Sequence, residues 1–450
     1  MKQRIFFFFV ALLCIGLIRP CLLLAQAPAS APAAPAEIGP LPQAAPAATP
    51  PTAPVYTLPP EKLAQAIAYS HARTFLHFAS TAWTLLALLL LLAWHVPARF
   101  RDWAERCTQR RWLQGLVFLP LFLLALSCIG LPLDLYEQHL SHKYGQSVQS
   151  WGSWSGDWTK SLLLTLLIGT LLLSLFFWVV RRSPRRWWAW SWLAALPVLV
   201  FGVFISPILV DPIFYKFGPL QKTDPALVAQ LEQVAARDGL HVPPSRIFLM
   251  QASEKVTGLN AYVTGLGPSK RIVVWDTTIQ KATPNEILFI FGHEMGHYVL
   301  NHIYKGMAFI AGLLLVALWL CYHSVHWLVR RFGTAWQVRA VDDWAALAVL
   351  SLAFVFFSFL LEPALNSFTR VQEHHADIYG QEAIHGIVAS PQRTAQHAFQ
   401  LLGELSLSDP YPSRFVEFWT YSHPSIARRA AFAAHYDPWL PGQHPRYFQK

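Results

Sequence analysis

Charge is scarce in this chain, with only 13% of its 450 residues drawn from Asp, Glu, Lys and Arg against 54% hydrophobic ones. Soluble domains take about a quarter of their residues from the charged set, so an ordinary water-facing surface is excluded. Cysteine is nearly absent. Cys14, Cys21, Cys128 and Cys321 lie in apolar segments and Cys107 in a basic link, with no C-x-x-C spacing, so neither a disulfide framework nor a thiolate metal site is implied. The net charge of +10 does not imply a nucleic-acid partner, because the arginines fall in short links between apolar blocks rather than along a helix face.

What is abundant is apolar sequence in blocks close to the length of a bilayer crossing. Six occur, at Thr74–Val96, Leu113–Leu133, Ser161–Val180, Trp187–Val210, Met307–Trp327 and Trp344–Leu361. About 20 apolar residues in helical form cross a hydrocarbon core. The chain therefore reads as mainly α, a polytopic membrane bundle of six or seven helices. At the amino terminus, Lys2 and Arg4 precede a long apolar run that ends in small residues around Ala25–Ala29. This pattern fits a signal peptide or signal anchor over residues 1–27, followed by a tether rich in Pro and Ala over 28–60.

The links between blocks carry a topology signal. Pro97–Arg111 holds five arginines, Arg181–Arg186 four and Leu328–Asp343 three, whereas Asp134–Lys160 holds only two lysines. The positive-inside rule places the arginine-bearing links in the cytoplasm and the long sections after Val210 and after Leu361 on the extracytoplasmic face.

Chemistry concentrates in Phe291–His302, which reads FGHEMGHYVLNH. Just upstream, Thr283, Pro284 and Glu286 have the spacing of a capping box with proline in the first turn, so a helix is expected to start there. On it His293 and His297 are four residues apart on one face, with Glu294 beside them. This is the H-E-x-x-H arrangement of a zinc peptidase. Two imidazoles and one further protein ligand leave a fourth tetrahedral position for water, whose pKa the metal lowers to about 7, and Glu294 can take that water's proton as general base. A second cluster, NSFTRVQEHHADIYG at Asn366–Gly380, puts Glu373 and Asp377 four apart. Glu373 can complete the zinc coordination, and Asp377 can orient a ligand histidine. His302, His374 and His375 compete as ligands, but His302 falls five residues after His297, off the ligand face, and the other two flank Glu373 on diverging faces.

Together these residues resemble the type I CAAX prenyl endopeptidase family of membrane zinc metallopeptidases. The likeness extends to DPIFYKFGPL at Asp211–Leu220, GLNAYVTGLGPSKRIVVWDTTI at Gly258–Ile279, TRVQEHHAD at Thr369–Asp377 and SHPSIARR at Ser422–Arg429. The resemblance implies one zinc per chain held by His293, His297 and Glu373, Glu294 as base, and Asp377 orienting a histidine. It further implies that Asn260 and the strand starting at Ala261 hold the substrate backbone, and that His423 and Arg429 lie near the developing oxyanion. Two features depart from the family pattern, the outward-pointing arginine count and the signal-like start with its tether.

The expected organisation is an amino-terminal membrane region of four helices at 61–210, a zincin-like section at 211–306, two membrane helices at 307–361 and a carboxy-terminal section at 362–450. Short strands are expected at Ser245–Gln251 and Arg271–Thr277. The expected partners are a peptide or protein substrate and the lipid bilayer. A proton-shuttling transporter is disfavoured because the apolar blocks hold few ionisable residues, and a catalytically inactive scaffold because the full H-E-x-x-H set and Glu373 are present.

Overall fold

A computed structural model gives the arrangement of residues 56–448, except 238, 240, 241 and 265–270. The expected signal segment, and all but the end of the tether, lie outside these residues. Helices α1 (Pro60–Ala93), α2 (Val96–Cys107), α3 (Arg111–Lys143), α4 (Trp151–Arg182) and α5 (Trp187–Phe204) come first. Two single turns then lead to β1 (Phe217–Pro219), α6 (Pro225–Ala236), β2 (Ile247–Met250), β3 (Ala261–Thr264) and β4 (Arg271–Trp275). After α7 (Asp276–Lys281) and α8 (Pro284–Val299) come α9 (His302–Trp336), α10 (Ala346–Ala383), α11 (Pro391–Ser406), α12 (Arg414–Thr420) and α13 (Ile426–His435).

Six of these, α1, α3, α4, α5, α9 and α10, are long and apolar enough to cross a membrane, and each overlaps one of the six apolar blocks. Their surfaces are inverted relative to a soluble protein. On α4, Leu163, Leu167 and Leu171 point outward at 61%, 71% and 69% exposure, while Asp157, Ser161, Thr165 and Gly169 are buried. Lipid tails are as apolar as leucine, so nothing drives Leu inward, and small or hydroxylated residues serve close helix contacts instead. Inside the bundle Trp344 of the α9–α10 link lies 4.7 Å from Phe177 and 6.0 Å from Phe118, ring centroid to centroid.

The arginine-bearing links meet at one end of this bundle. Arg101 donates to Asp343 and to the Gln337 carbonyl, both at 2.7 Å. Arg181 reaches the Asp342 carbonyl and lies 4.0 Å over the Trp344 ring. The opposite end gathers the link with few basic residues and the sections 211–306 and 362–450, as in the bonds from Val148 N to the Lys255 carbonyl at 3.1 Å and from Gln146 Nε2 to the Leu405 carbonyl at 2.9 Å.

The strands form one sheet of order β1-β2-β4-β3, with β2 and β4 parallel and the outer pairs antiparallel. The two expected strands correspond to β2 and β4, and β1 and β3 flank them. β3 pairs with β4 along one side and is an edge among the described residues. It lies against α8. The division drawn after residues 306 and 361 falls inside α9 and α10, each of which runs unbroken from the apolar span to the catalytic end.

Candidate active site

Helix α8 begins where the capping box puts it. Glu286 N donates to Thr283 Oγ1 at 3.4 Å and Thr283 N to Glu286 Oε2 at 2.8 Å, with Pro284 in the first turn. The helix then buries Ile287, Leu288, Phe289 and Phe291, which fixes the face that carries His293 and His297. Helix α10 crosses α8 at unusually short range. A Cβ on Gly380 would stand 2.7 Å from the His293 backbone nitrogen, and one on Gly296 would stand 2.9 Å from Tyr379 Cβ. This approach delivers Glu373 and Asp377 of α10 to the histidines of α8.

Three of these side chains are placed so that they could hold one metal ion. His293 Nε2 and His297 Nε2 are 3.1 Å apart. Glu373 Oε2 is 3.4 Å from His293 Nε2, and its Oε1 is 3.4 Å from His297 Nε2. Ligand atoms of all three lie within 4.8 Å of one another and all three residues are buried. Both remaining ring nitrogens are engaged elsewhere, His293 Nδ1 at 2.8 Å from Asp377 Oδ1 and His297 Nδ1 at 3.0 Å from His302 Nδ1. Protons on the two Nδ1 atoms, the form a bound metal would select, would leave both Nε2 lone pairs converging with the carboxylate on one point. Glu373 is buried among three nitrogen-bearing side chains, with His423 Nε2 at 3.2 Å, His293 Nε2 at 3.4 Å and Arg429 Nη2 at 3.7 Å from its Oε2, surroundings that hold it as a carboxylate. The donor set therefore fits a divalent cation with nitrogen and oxygen ligands.

Burial also sets the charges outside the membrane helices. It pulls His293 down, but the hydrogen bonds to Asp377 and Glu373 override it and raise the ring to about 10. Burial lowers His297 to about 3. Glu294, half-buried beside the histidines, is pushed up to about 8 by burial, with His293 pulling the other way and Glu373 adding to the rise. A bound dication acts in the opposite sense and favours the carboxylate.

Around this centre, Arg429 holds Asp377 from behind. Its Nε donates to Oδ2 at 2.9 Å and its Nη2 to Oδ1 at 2.6 Å, and its guanidinium sits 4.5 Å over the Phe399 ring. It thus stands behind Asp377, its nearest approach to Glu373 being 3.7 Å. His423 Nε2 is 3.2 Å from Glu373 Oε2, and its Nδ1 is 2.9 Å from Ser422 Oγ. Asn260 is held by its backbone, whose N–H and carbonyl both bond Thr278 Oγ1, at 2.9 and 2.8 Å. That clamp fixes where β3 begins at Ala261.

Residues 221–437 match the model of peptidase family M48, and residues 43–216 match the CAAX prenyl protease amino-terminal region, described as five membrane helices. The chain is 35% identical over 384 residues to the uncharacterized metalloprotease YhfN of Bacillus subtilis, covering 84% of this chain and 87% of that one. It belongs to peptidase family M48. CAAX prenyl protease 1 of Saccharomyces cerevisiae is 27% identical over 336 residues, 70% of this chain and 71% of the yeast protein. The CAAX prenyl protease 1 homolog of Dictyostelium discoideum is 28% identical over 379 residues, 80% and 84% of the two chains. The crystal structure of S. mikatae Ste24p superposes with a TM-score of 0.73 at 24% identity, covering 84% of this chain and 90% of the other, and shares its fold. This M48 member is accordingly a multi-pass membrane metalloprotease, a hydrolase acting on peptides.

Sequence reasoning set His302 aside as lying off the ligand face, and did not single out Thr278 or the close-packed glycines. His302 belongs to a new helix. Asn301 adopts φ 57 in the left-handed region, so the chain turns after α8 and swings His302 back against His297. A Gly380→Ala substitution tests the crossing. The added methyl forces α8 and α10 apart, and the variant is expected to lose most of any metal that the unaltered protein retains, read by elemental analysis of both.

Proposed function

We propose that this protein is a membrane-embedded zinc endopeptidase in which His293, His297 and Glu373 hold one zinc and Glu294 is the general base. The convergence of two imidazole Nε2 atoms and one buried carboxylate on a single point carries this reading. A zinc ion bound there supplies a Lewis acid and lowers the pKa of water to about 7. The chain's residues do the rest. Glu294 takes the proton from the attacking water and returns it to the leaving amine. Asp377 fixes the His293 tautomer and Arg429 fixes Asp377, so Arg429 acts as a positioning residue. His302 does for His297 what Asp377 does for His293, with a neutral ring in place of a carboxylate. His423, partly exposed beside Glu373, offers an N–H to the developing oxyanion. Asn260 and the edge from Ala261 onward bind an extended peptide backbone by strand addition, which tolerates many side chains.

The relatives named as CAAX prenyl proteases lend the peptidase chemistry. The arginine-rich end of the bundle lies opposite the site, so the positive-inside rule turns the site, assembled from 211–306 and 362–450, outward. The substrate class we favour is then peptide or protein segments outside the cytoplasm. An inactive scaffold is disfavoured by the completeness of the ligand and base set.

Glu294→Gln is expected to keep zinc and lose about a hundredfold or more of its peptide hydrolysis, and full activity would remove Glu294 from the mechanism. Glu373→Ala is expected to lose zinc as well, and undiminished metal would move the third ligand elsewhere. For orientation, a periplasm-dependent reporter fused after Lys450 is expected to be active, and activity of a cytoplasm-dependent one would reverse the topology.

A further inference from the structure

Helix α12 (Arg414–Thr420) is built inside out for a segment in water. Its one acidic residue, Glu417, is buried at 6% exposure, where its carboxylate accepts from Ser425 N at 3.3 Å and pairs with Arg428 Nη2 at 3.2 Å, while the basic Arg414 at its first position is exposed. Phe415 and Phe418, three residues apart on one helical face, are 59% and 50% exposed. Isolated exposed apolar residues need no explanation, but a helix that buries its acid and presents two phenylalanines does.

The depth of this helix is marked by the two membrane helices it rests on. On α1 the apolar block starts at Thr74, and on α10 it ends at Leu361. A polar pair sits at that level, His77 Nε2 to Glu362 Oε2 at 3.2 Å. Immediately on the apolar side of the pair, Phe78 and Phe359 meet edge to face at 6.0 Å. Phe415 stacks on Phe78 at 6.0 Å and 19°, and Trp419 lies 4.9 Å from Phe359. The aromatic face of α12 therefore continues onto the half-buried Phe78 and Phe359 at the end of the two apolar blocks, the level at which aromatic residues are enriched in membrane proteins.

We propose that α12 is an interfacial anchor, its Phe415 and Phe418 inserted into the bilayer leaflet on the catalytic side. The anchor has a direct line to the site. Arg370 of α10 donates to the carbonyls of Glu417, at 3.0 Å, and Tyr421, and His423 follows two residues after Tyr421. The bilayer thereby helps place His423 beside Glu373. This holds whichever residues perform the chemistry.

The test places a nitroxide label on Phe418→Cys, in a background with the other cysteines replaced by serine, in proteoliposomes of phosphatidylcholine and phosphatidylglycerol. Labels at Leu167, facing lipid, and Lys222, exposed on the catalytic section, are the references. The expected result is strong broadening by oxygen with loss of collisions with a water-soluble nickel chelate, as at Leu167. Nickel access equal to Lys222 would overturn the anchor. Exclusion of both reagents would also overturn it, in favour of a protein covering the face. If Phe418→Cys does not accumulate folded, Phe415→Cys carries the same reading.

Discussion

The backbone of Gly380 approaches that of His293 so closely that no side chain can stand between them, and the arrangement of the proposed metal ligands follows from this contact. Two helices that cross at this range leave their next turns facing one another. Glu373 and Asp377, seven and three residues before Gly380, then reach the two histidines of α8. A wider crossing would pull Asp377 away from His293 Nδ1, now 2.8 Å off and so within the usual hydrogen-bond range of about 2.7–3.2 Å, and would move Glu373 off both Nε2 atoms. The flanking groups act in the same sense. Arg429 grips Asp377 with two charge-assisted hydrogen bonds, each worth roughly 1.5–3 kcal/mol when buried, and Phe399 braces Arg429.

The bilayer and the site are coupled through continuous helices. α10 spans the apolar block and then carries Glu373 and Asp377 without a break, and α9 starts at His302 against His297 before entering its own span. The arginine-bearing links hold the far end together through Arg101, Asp343 and Arg181. The catalytic section is therefore assembled by the membrane helices rather than set on them as a separate domain, which is why the boundaries drawn at 306 and 361 fall within helices.

Much of this was legible in the sequence because it is written in short-range periodicity. The four-residue spacing of His293 and His297, the Thr283–Glu286 capping box and the six apolar blocks each depend on one helix at a time. What escaped depends on how elements meet. His302 looked misplaced because an unbroken helix puts it off the ligand face, and only the left-handed Asn301 brings it back. Gly292, Gly296 and Gly380 look like ordinary helix glycines until a second helix is laid across them. Arg429 was expected beside the oxyanion from resemblance, and its two bonds to Asp377 involve a partner 52 residues away. β1 and β3 are too short to signal themselves by alternation, although the Asn-Ala segment already pointed to a strand after Asn260.

The central claim is that one zinc is held by two imidazoles and one carboxylate contributed by α8 and α10. X-ray absorption at the zinc edge of the purified membrane protein tests it most directly. The account predicts one zinc per chain with a nitrogen and oxygen shell at about 2.0–2.2 Å, two imidazoles in the multiple-scattering pattern, and loss of that metal in Glu373→Ala. A third imidazole, from His302 or His423, or a sulfur neighbour at about 2.3 Å, would contradict it.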